Sequence, residues 1–103
     1  MAQPGRAVDG DTFEASMLIW FHLTATERIR VLGVDTPELK GGTEETRAAA
    51  LKAKEFTAAW LAQGPVTLAT CQLDSFGRVL ATVTRGDQNL ATLLIQAGLG
   101  VPR

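Results

Sequence analysis

Residues 14–23, EASMLIWFHL, are the stretch from which the fold can be built outward. Met17, Ile19 and Phe21 recur at every second position, so they would share one face of a β-strand. The apolar run from Met17 to Phe21 is strand-sized and far shorter than a bilayer-spanning helix. The stretch therefore predicts a β-strand, and we expect no association with a membrane.

Strand-like segments lie on both sides of this stretch, at residues 6–13 and 27–34. The first connection is predicted at Asp9-Gly10-Asp11 or just after it, and the second at Thr24-Ala25-Thr26. Both connections have hairpin length, so we expect the three strands to form an antiparallel meander.

A helix is predicted next, over residues 43–63, with Thr43 as its N-cap candidate. Its apolar positions recur at spacings of four, three and four, which places them on one face. These positions are Ala49, Ala53, Phe56 and Trp60. Gly64-Pro65 is expected to end the helix.

The last third of the chain predicts two more strands, at residues 66–71 and 79–85, joined by a polar turn at residues 74–77. Cys71 is expected to be buried in the first of them. A second, short helix is predicted to begin near Asn89, with an apolar face. That face would contain Leu90, Leu93, Leu94 and Ala97.

This order of elements indicates a mainly β fold with helices, of the α+β class. Five strands with a helix between the third and fourth, and a short C-terminal helix, are the pattern of a five-stranded Greek-key barrel of the oligonucleotide-binding (OB) type. A ferredoxin-like arrangement would need βαβ crossovers, which three leading strands fit poorly. With 103 residues, we expect a single domain over residues 1–103 and a monomer.

Composition excludes some function classes. A formal net charge of -1 gives no global basic field, so nucleic acid would have to be held by local charge. The single cysteine excludes an intrachain disulfide and leaves the redox compartment open. The N-terminal residues lack the basic region and apolar core of a secretory signal, so we expect no export signal in this sequence and make no prediction of the compartment.

Carboxylates and arginines are concentrated in three short stretches: residues 8–12 (VDGDT), 30–38 (RVLGVDTPE) and 74–78 (DSFGR). Carboxylates are hard oxygen ligands for a divalent cation, and guanidinium groups match phosphate oxygens in pairs. The combination indicates metal-assisted phosphodiester chemistry. Taken singly, each stretch is also typical of a solvated turn.

Strict strand alternation places Arg30 and Asp35 on opposite faces. A shared site therefore requires a bend or bulge between them, and Gly33 or the strand end is the candidate. Pro37 restricts its own φ and favours an extended Thr36, which would aim this segment reproducibly.

These residues resemble the staphylococcal nuclease (thermonuclease) family over nearly the whole chain. The resemblance depends on Val-Asp-Gly-Asp-Thr at 8–12, on Arg30 followed by Val-Asp-Thr-Pro-Glu at 34–38, and on Asp74-x-x-Gly77-Arg78. The closing Gln-Ala-Gly-Leu at 96–99 also matches. The chain departs from well-known members in having no tyrosine and in having Ser75 where a lysine is common.

The resemblance implies one Ca²⁺ ion, bound by the carboxylates of Asp11 and Asp35 and the main-chain carbonyl of Thr36, with Asp9 in support. It implies that Glu38 positions or deprotonates the attacking water. Arg30 and Arg78 would grip the phosphate and stabilise the transition state, and Phe76 would stack on a base of the substrate. The implied reaction is hydrolysis of the 5′ P–O bond of DNA or RNA, leaving 3′-phosphate products.

Two other functions are compatible with this sequence. A non-catalytic OB-fold module that binds nucleic acid or protein is the first alternative, although such modules characteristically lose the acids or arginines that this chain keeps. In the second, a structural domain, the charged residues would form surface ion pairs of small energetic value.

Overall fold

Three long antiparallel strands form the first part of the protein: β1 (Ala2–Asp9), β2 (Thr12–Trp20) and β3 (Leu23–Val31). The computed structural model describes residues 2–20, 23–40, 42–75 and 77–103. The two-residue connection at Gly10-Asp11 joins β1 to β2, where Asp9 pairs with Thr12. The predicted meander and its first turn are therefore confirmed.

The second predicted turn was wrong. Thr24, Ala25 and Thr26 lie within β3 and pair with residues 16–18 of β2, and the hydroxyl oxygens of Ser16 and Thr26 lie 3.2 Å apart across the pair. Threonine is β-branched and suits a strand surface as well as a loop. The side chain of Ile19 and all of Phe21, which were predicted to share a face with Met17, lie outside the described residues.

Helix α1 (Glu44–Leu61) follows a two-residue strand, β4 (Val34–Asp35). Thr43 caps the helix, because its side chain accepts from the Thr46 amide while the Thr46 side chain accepts from the Thr43 amide. The helix packs on β1. Its buried residues are Ala50, Ala53, Thr57, Trp60 and Leu61. The predicted face is thus confirmed at Ala53 and Trp60, while Ala49 and Phe56 are only partly buried.

The remaining long strands are β5 (Thr67–Leu73) and β6 (Val79–Arg85), as predicted. The strand order is β1-β2-β3-β6-β5, with β6 parallel to β3 and antiparallel to β5. The two outer strands meet where Ala2 and Val66 exchange backbone hydrogen bonds of 2.8 and 3.0 Å. The sheet is therefore a curled half-barrel with two helices, which confirms the OB-like α+β fold.

Two short strands complete the chain around helix α2 (Leu90–Gln96). β7 (Gln88–Asn89) pairs with β6, and β8 (Val101–Pro102) pairs antiparallel with β4. Asn89 caps α2 by accepting from the Thr92 amide, as predicted. The buried residues of α2 are Leu90, Ala91 and Leu94. Ala97, which was predicted to lie on the buried face, is exposed.

The core lies between the curled sheet and the two helices. Its largest fully buried side chains are Phe13, Ile29, Leu90 and Leu94, with several valines around them. Among the described residues, no helix has both the length and the apolar content needed to cross a bilayer.

Cys71 is exposed, so the prediction that it is buried was wrong. It lies in β5, the last strand of the sheet, where the pairing with β6 shifts register between Ala69 and Gln72. Such a bulge breaks the alternation from which burial was predicted.

Arg85 closes the C-terminal end of α1 from the neighbouring strand β6. Its Nη1 donates to the Trp60 carbonyl at 2.7 Å and its Nε to the Pro65 carbonyl at 3.2 Å. The guanidinium also lies 4.2 Å from the centre of the Trp60 ring. Because the last turn of α1 contains no basic residue of its own, Arg85 supplies the positive charge that helix carbonyls favour.

Candidate phosphodiester site

The Gly10-Asp11 turn is held against α1. The Thr57 hydroxyl donates to the Gly10 carbonyl at 2.6 Å. A Cβ added at Gly10 would lie 2.6 Å from the Cβ of Ala53 and 3.0 Å from Oγ1 of Thr36. Only glycine can lie this close to Ala53, and the contact fixes the backbone position of the next residue, Asp11.

A bend between β3 and β4 brings Asp35 back toward Arg30. Gly33 has a φ of 94°, which favours glycine and reverses the chain after Val31. Arg30 Nη1 then donates to the carbonyls of Val31 at 2.8 Å and Val34 at 2.9 Å. The predicted need for a bend at Gly33 is met, and Arg30 itself binds both sides of that bend.

Two carboxylates converge on the other terminal nitrogen of Arg30. Its Nη2 lies 2.8 Å from Oδ1 of Asp35 and 3.3 Å from Oδ2 of Asp11. The side chains of Arg30 and Asp11 are 6% and 8% exposed, whereas that of Asp35 is 53% exposed. The cluster is therefore buried on the Asp11 side and open to solvent on the Asp35 side.

Asp11 is held by two further hydrogen bonds. Its Oδ2 accepts from the Thr36 amide at 2.9 Å, and its Oδ1 accepts from the Thr12 hydroxyl at 3.1 Å. Thr36 is thus brought next to Asp11 through its main-chain amide. Its Oγ1 is buried and has no hydrogen-bond partner among the described residues.

The donor set fits a hard cation. Asp11 and Asp35 supply carboxylate oxygens that meet at Arg30 Nη2, and the half-exposed Asp35 faces solvent, from which water ligands are available. Within the described residues, no group of three or more His, Cys, Asp or Glu side chains could hold a metal ion. An ion at this pair would therefore need main-chain and water oxygens as its remaining ligands.

Asp9 contacts the segment that follows β4. Its Oδ1 accepts from the Leu39 amide at 3.3 Å. This bond ties the segment that contains Glu38 to the end of β1.

Glu38 and Arg78 line one open pocket of about 600 Å³, together with Gly77. Glu38 is exposed and follows Pro37 at the pocket edge. The other lining residues come from β2 and β3: Glu14, Thr26, Glu27 and Arg28. Phe76, the predicted base-stacking residue, lies outside the described residues.

Arg78 lines two pockets and is held by Asp74. Its Nε donates to Asp74 Oδ2 at 2.7 Å and its amide donates to Asp74 Oδ1 at 2.9 Å. Arg78 also lines a second pocket of about 310 Å³, in which Arg30 takes part. The two arginines predicted to act on phosphate thus share one cavity, and Glu38 shares the adjoining one with Arg78.

Three residues that make contacts at the site were missed in the sequence analysis. Thr57 falls on the buried helix face, four residues after Ala53, so helical spacing could have found it. Asp74 begins the Asp-x-x-Gly-Arg motif but had been given no role. Arg103 lies beside Asp35, with Nη1 3.9 Å from Oδ1, through a β8 pairing that no periodicity indicated.

Comparison with known proteins gives one family. The model of the staphylococcal nuclease homologue family matches residues 28–102, more than two thirds of the chain. Asp9 and Asp11 precede the matched residues, whereas the other predicted site residues fall within them. A search of curated proteins found no match. The match covers Arg30, the β3–β4 bend and both helices, and the chain belongs to this family of nucleases and nucleic-acid-binding domains.

Proposed function

We propose that the protein is a calcium-dependent nuclease that hydrolyses the 5′ P–O bond of DNA or RNA and leaves 3′-phosphate products. The observation that carries the proposal is the convergence of Asp11 and Asp35 on Arg30 Nη2, next to pockets lined by Arg78 and Glu38. A hard cation, a phosphate-binding pair and a carboxylate near solvent are the parts that phosphodiester hydrolysis needs.

Asp11 and Asp35 would hold the ion, together with the main-chain carbonyl of Thr36. When bound there, Ca²⁺ would supply Lewis-acid stabilisation of phosphate charge. Asp11 is suited to a fixed position because three protein groups contact its carboxylate. Asp35, half exposed, is the carboxylate that substrate and solvent can reach.

Arg30 can offer only one of its terminal nitrogens to a phosphate. Nη1 is committed to the Val31 and Val34 carbonyls, which hold the β3–β4 bend. Nη2 faces the two carboxylates, so binding phosphate there would exchange an ion pair with Asp35 or Asp11 for one with substrate. Arg78, whose Nε donates to Asp74, would contact the same phosphate.

Glu38 would accept a proton from water at the pocket that it lines with Arg78. In the proposed step, the water oxygen forms a bond to phosphorus as Glu38 takes its proton. The bond from phosphorus to the 5′ oxygen breaks, and that oxygen leaves with a proton from solvent. Charge developing on the equatorial oxygens is stabilised by the two arginines.

The assay is cleavage of single-stranded DNA and of RNA in calcium and in excess chelator. We expect cleavage only in calcium, with rates lowered by orders of magnitude in Glu38→Gln and Arg78→Ala, because each removes a group that acts in the transition state. Glu45→Gln and Arg47→Ala are matched controls, since both residues are exposed on α1 away from the pockets. Equal rates in site and control variants would refute the assigned roles.

A non-catalytic nucleic-acid-binding module is the second candidate. It is favoured by one observation, that two rather than three acidic side chains meet at the proposed metal point among the described residues. Binding of DNA without calcium-dependent cleavage in the same assay would establish this alternative. Product analysis decides the bond cleaved, since a 3′-phosphate end cannot be ligated to a 5′-phosphorylated adaptor until a phosphatase has removed that phosphate.

A further inference from the structure

Arg103 is placed at the site by backbone pairing. β8 pairs antiparallel with β4, so that Val101 faces Asp35 and Pro102 faces Val34. The Arg103 amide then donates to the Gly33 carbonyl at 3.3 Å. The backbone of Arg103 therefore lies at the same bend that turns Asp35 toward Arg30.

The contact between Arg103 and Asp35 is loose. Nη1 lies 3.9 Å from Oδ1 of Asp35, and the two side chains are 67% and 53% exposed. An exposed pair at this distance contributes little to folding stability. Asp35 Oδ1 is already bonded by Arg30 Nη2 at 2.8 Å, so Arg103 is the weaker of its two cationic neighbours.

Three guanidinium groups surround the pocket of about 310 Å³: those of Arg30, Arg78 and Arg103. Arg30 donates to two carbonyls and a carboxylate, and Arg78 donates to Asp74. Arg103 differs from both, because its ion pair is the longest of the three and its side chain is the most exposed. It can move toward a ligand at the least cost.

We propose that Arg103 is a substrate-binding residue that holds a phosphate next to the one bound by Arg30 and Arg78. The inference rests on the proposed function for its substrate class, a single-stranded polynucleotide with at least two phosphodiesters. In a chain with a net charge of -1, one exposed guanidinium at a pocket that two other arginines also line makes a large difference to the local electrostatic potential. Arg103 thereby favours longer substrates over a dinucleotide.

The test measures binding of a labelled oligothymidylate by fluorescence anisotropy. Binding is measured in chelator, and also in calcium with the Glu38→Gln substitution present in every protein. We expect Arg103→Gln to raise Kd by about threefold or more and to lower the salt dependence, the slope of log K against log salt, by about 0.7. Arg103→Lys keeps a charge and should restore the salt slope. Arg47→Gln removes the same charge from the exposed face of α1 and should change Kd less than twofold, by the rough size of a remote surface charge.

A dinucleotide with a single phosphodiester provides the second arm. Its Kd should be the same for wild type and Arg103→Gln, because it has no neighbouring phosphate. Equal losses for both ligands, equal losses in Arg103→Gln and Arg47→Gln, or no oligothymidylate binding by wild type in either buffer would overturn the inference. Absence of calcium-dependent cleavage would instead overturn the nuclease, while the binding comparison would still decide the role of Arg103.

Discussion

Gly10 and Ala53 approach so closely that a Cβ at position 10 would lie 2.6 Å from the Ala53 Cβ. The contact joins the turn that carries Asp11 to the middle of α1. We expect Gly10→Ala to lower the free energy of unfolding by about 1–3 kcal/mol, the usual cost of overpacking. Urea unfolding measures this directly. Gly5→Ala is the control, because its added Cβ would meet nothing closer than 3.4 Å, and a similar loss in both variants would contradict the explanation.

Arg30 should be essential for stability as well as for activity. Arg30→Met leaves Asp11, whose side chain is 8% exposed, without its cationic partner and removes two hydrogen bonds across the β3–β4 bend. Breaking a buried pair in this way typically costs about 3–5 kcal/mol, which urea unfolding would detect. Arg28→Met changes an exposed arginine two positions earlier on the same strand and should shift stability by only about 0.5 kcal/mol. A loss no larger than the control's would show that the cluster contributes nothing.

Calcium should stabilise the folded protein without any substrate present. A ligand at about a hundredfold excess over its Kd adds about 2.7 kcal/mol, so the melting temperature should rise in calcium and fall back in chelator. Asp35→Asn should lose most of this response, since Asp35 is the half-exposed carboxylate of the pair. Asp87→Asn, at an exposed turn before β7, should keep it. If Asp35→Asn and wild type respond equally, the ion is bound elsewhere or not at all.

Cys71 should react with a thiol reagent in the native state. It is exposed on the outermost strand of the sheet, so labelling by a disulfide reagent should proceed at a rate within about tenfold of that in urea, as expected for an accessible thiol. Labelling that begins only on unfolding would show that β5 is covered in solution.

Much of the fold could be predicted because its long elements carry clear periodicity. Thr43 and Asn89 marked both helix starts, and the alternation around Met17 marked β2. The register of the sheet was harder, because Thr24 to Thr26 suit a loop or a strand equally and Cys71 follows a bulge.

The candidate site was predictable in its residue types and less so in its contacts. Spacing alone placed Arg30 and Asp35 on opposite faces, and glycine chemistry at Gly33 resolved that conflict. No local pattern indicated the contacts between residues that are far apart in the sequence. Thr57 reaches the Gly10 carbonyl and Arg103 reaches the Gly33 bend only after the helix and β8 have docked.

The pairing of β4 with β8 also has a consequence for synthesis on the ribosome. Asp35 leaves the exit tunnel long before Val101, its pairing partner, has been translated. A nascent chain that already contains Arg30, Glu38 and Arg78 therefore still lacks the strand that flanks Asp35. Because β8 is made so late, a truncated translation product would hold the acids and arginines of the site without the strand that pairs with Val34 and Asp35.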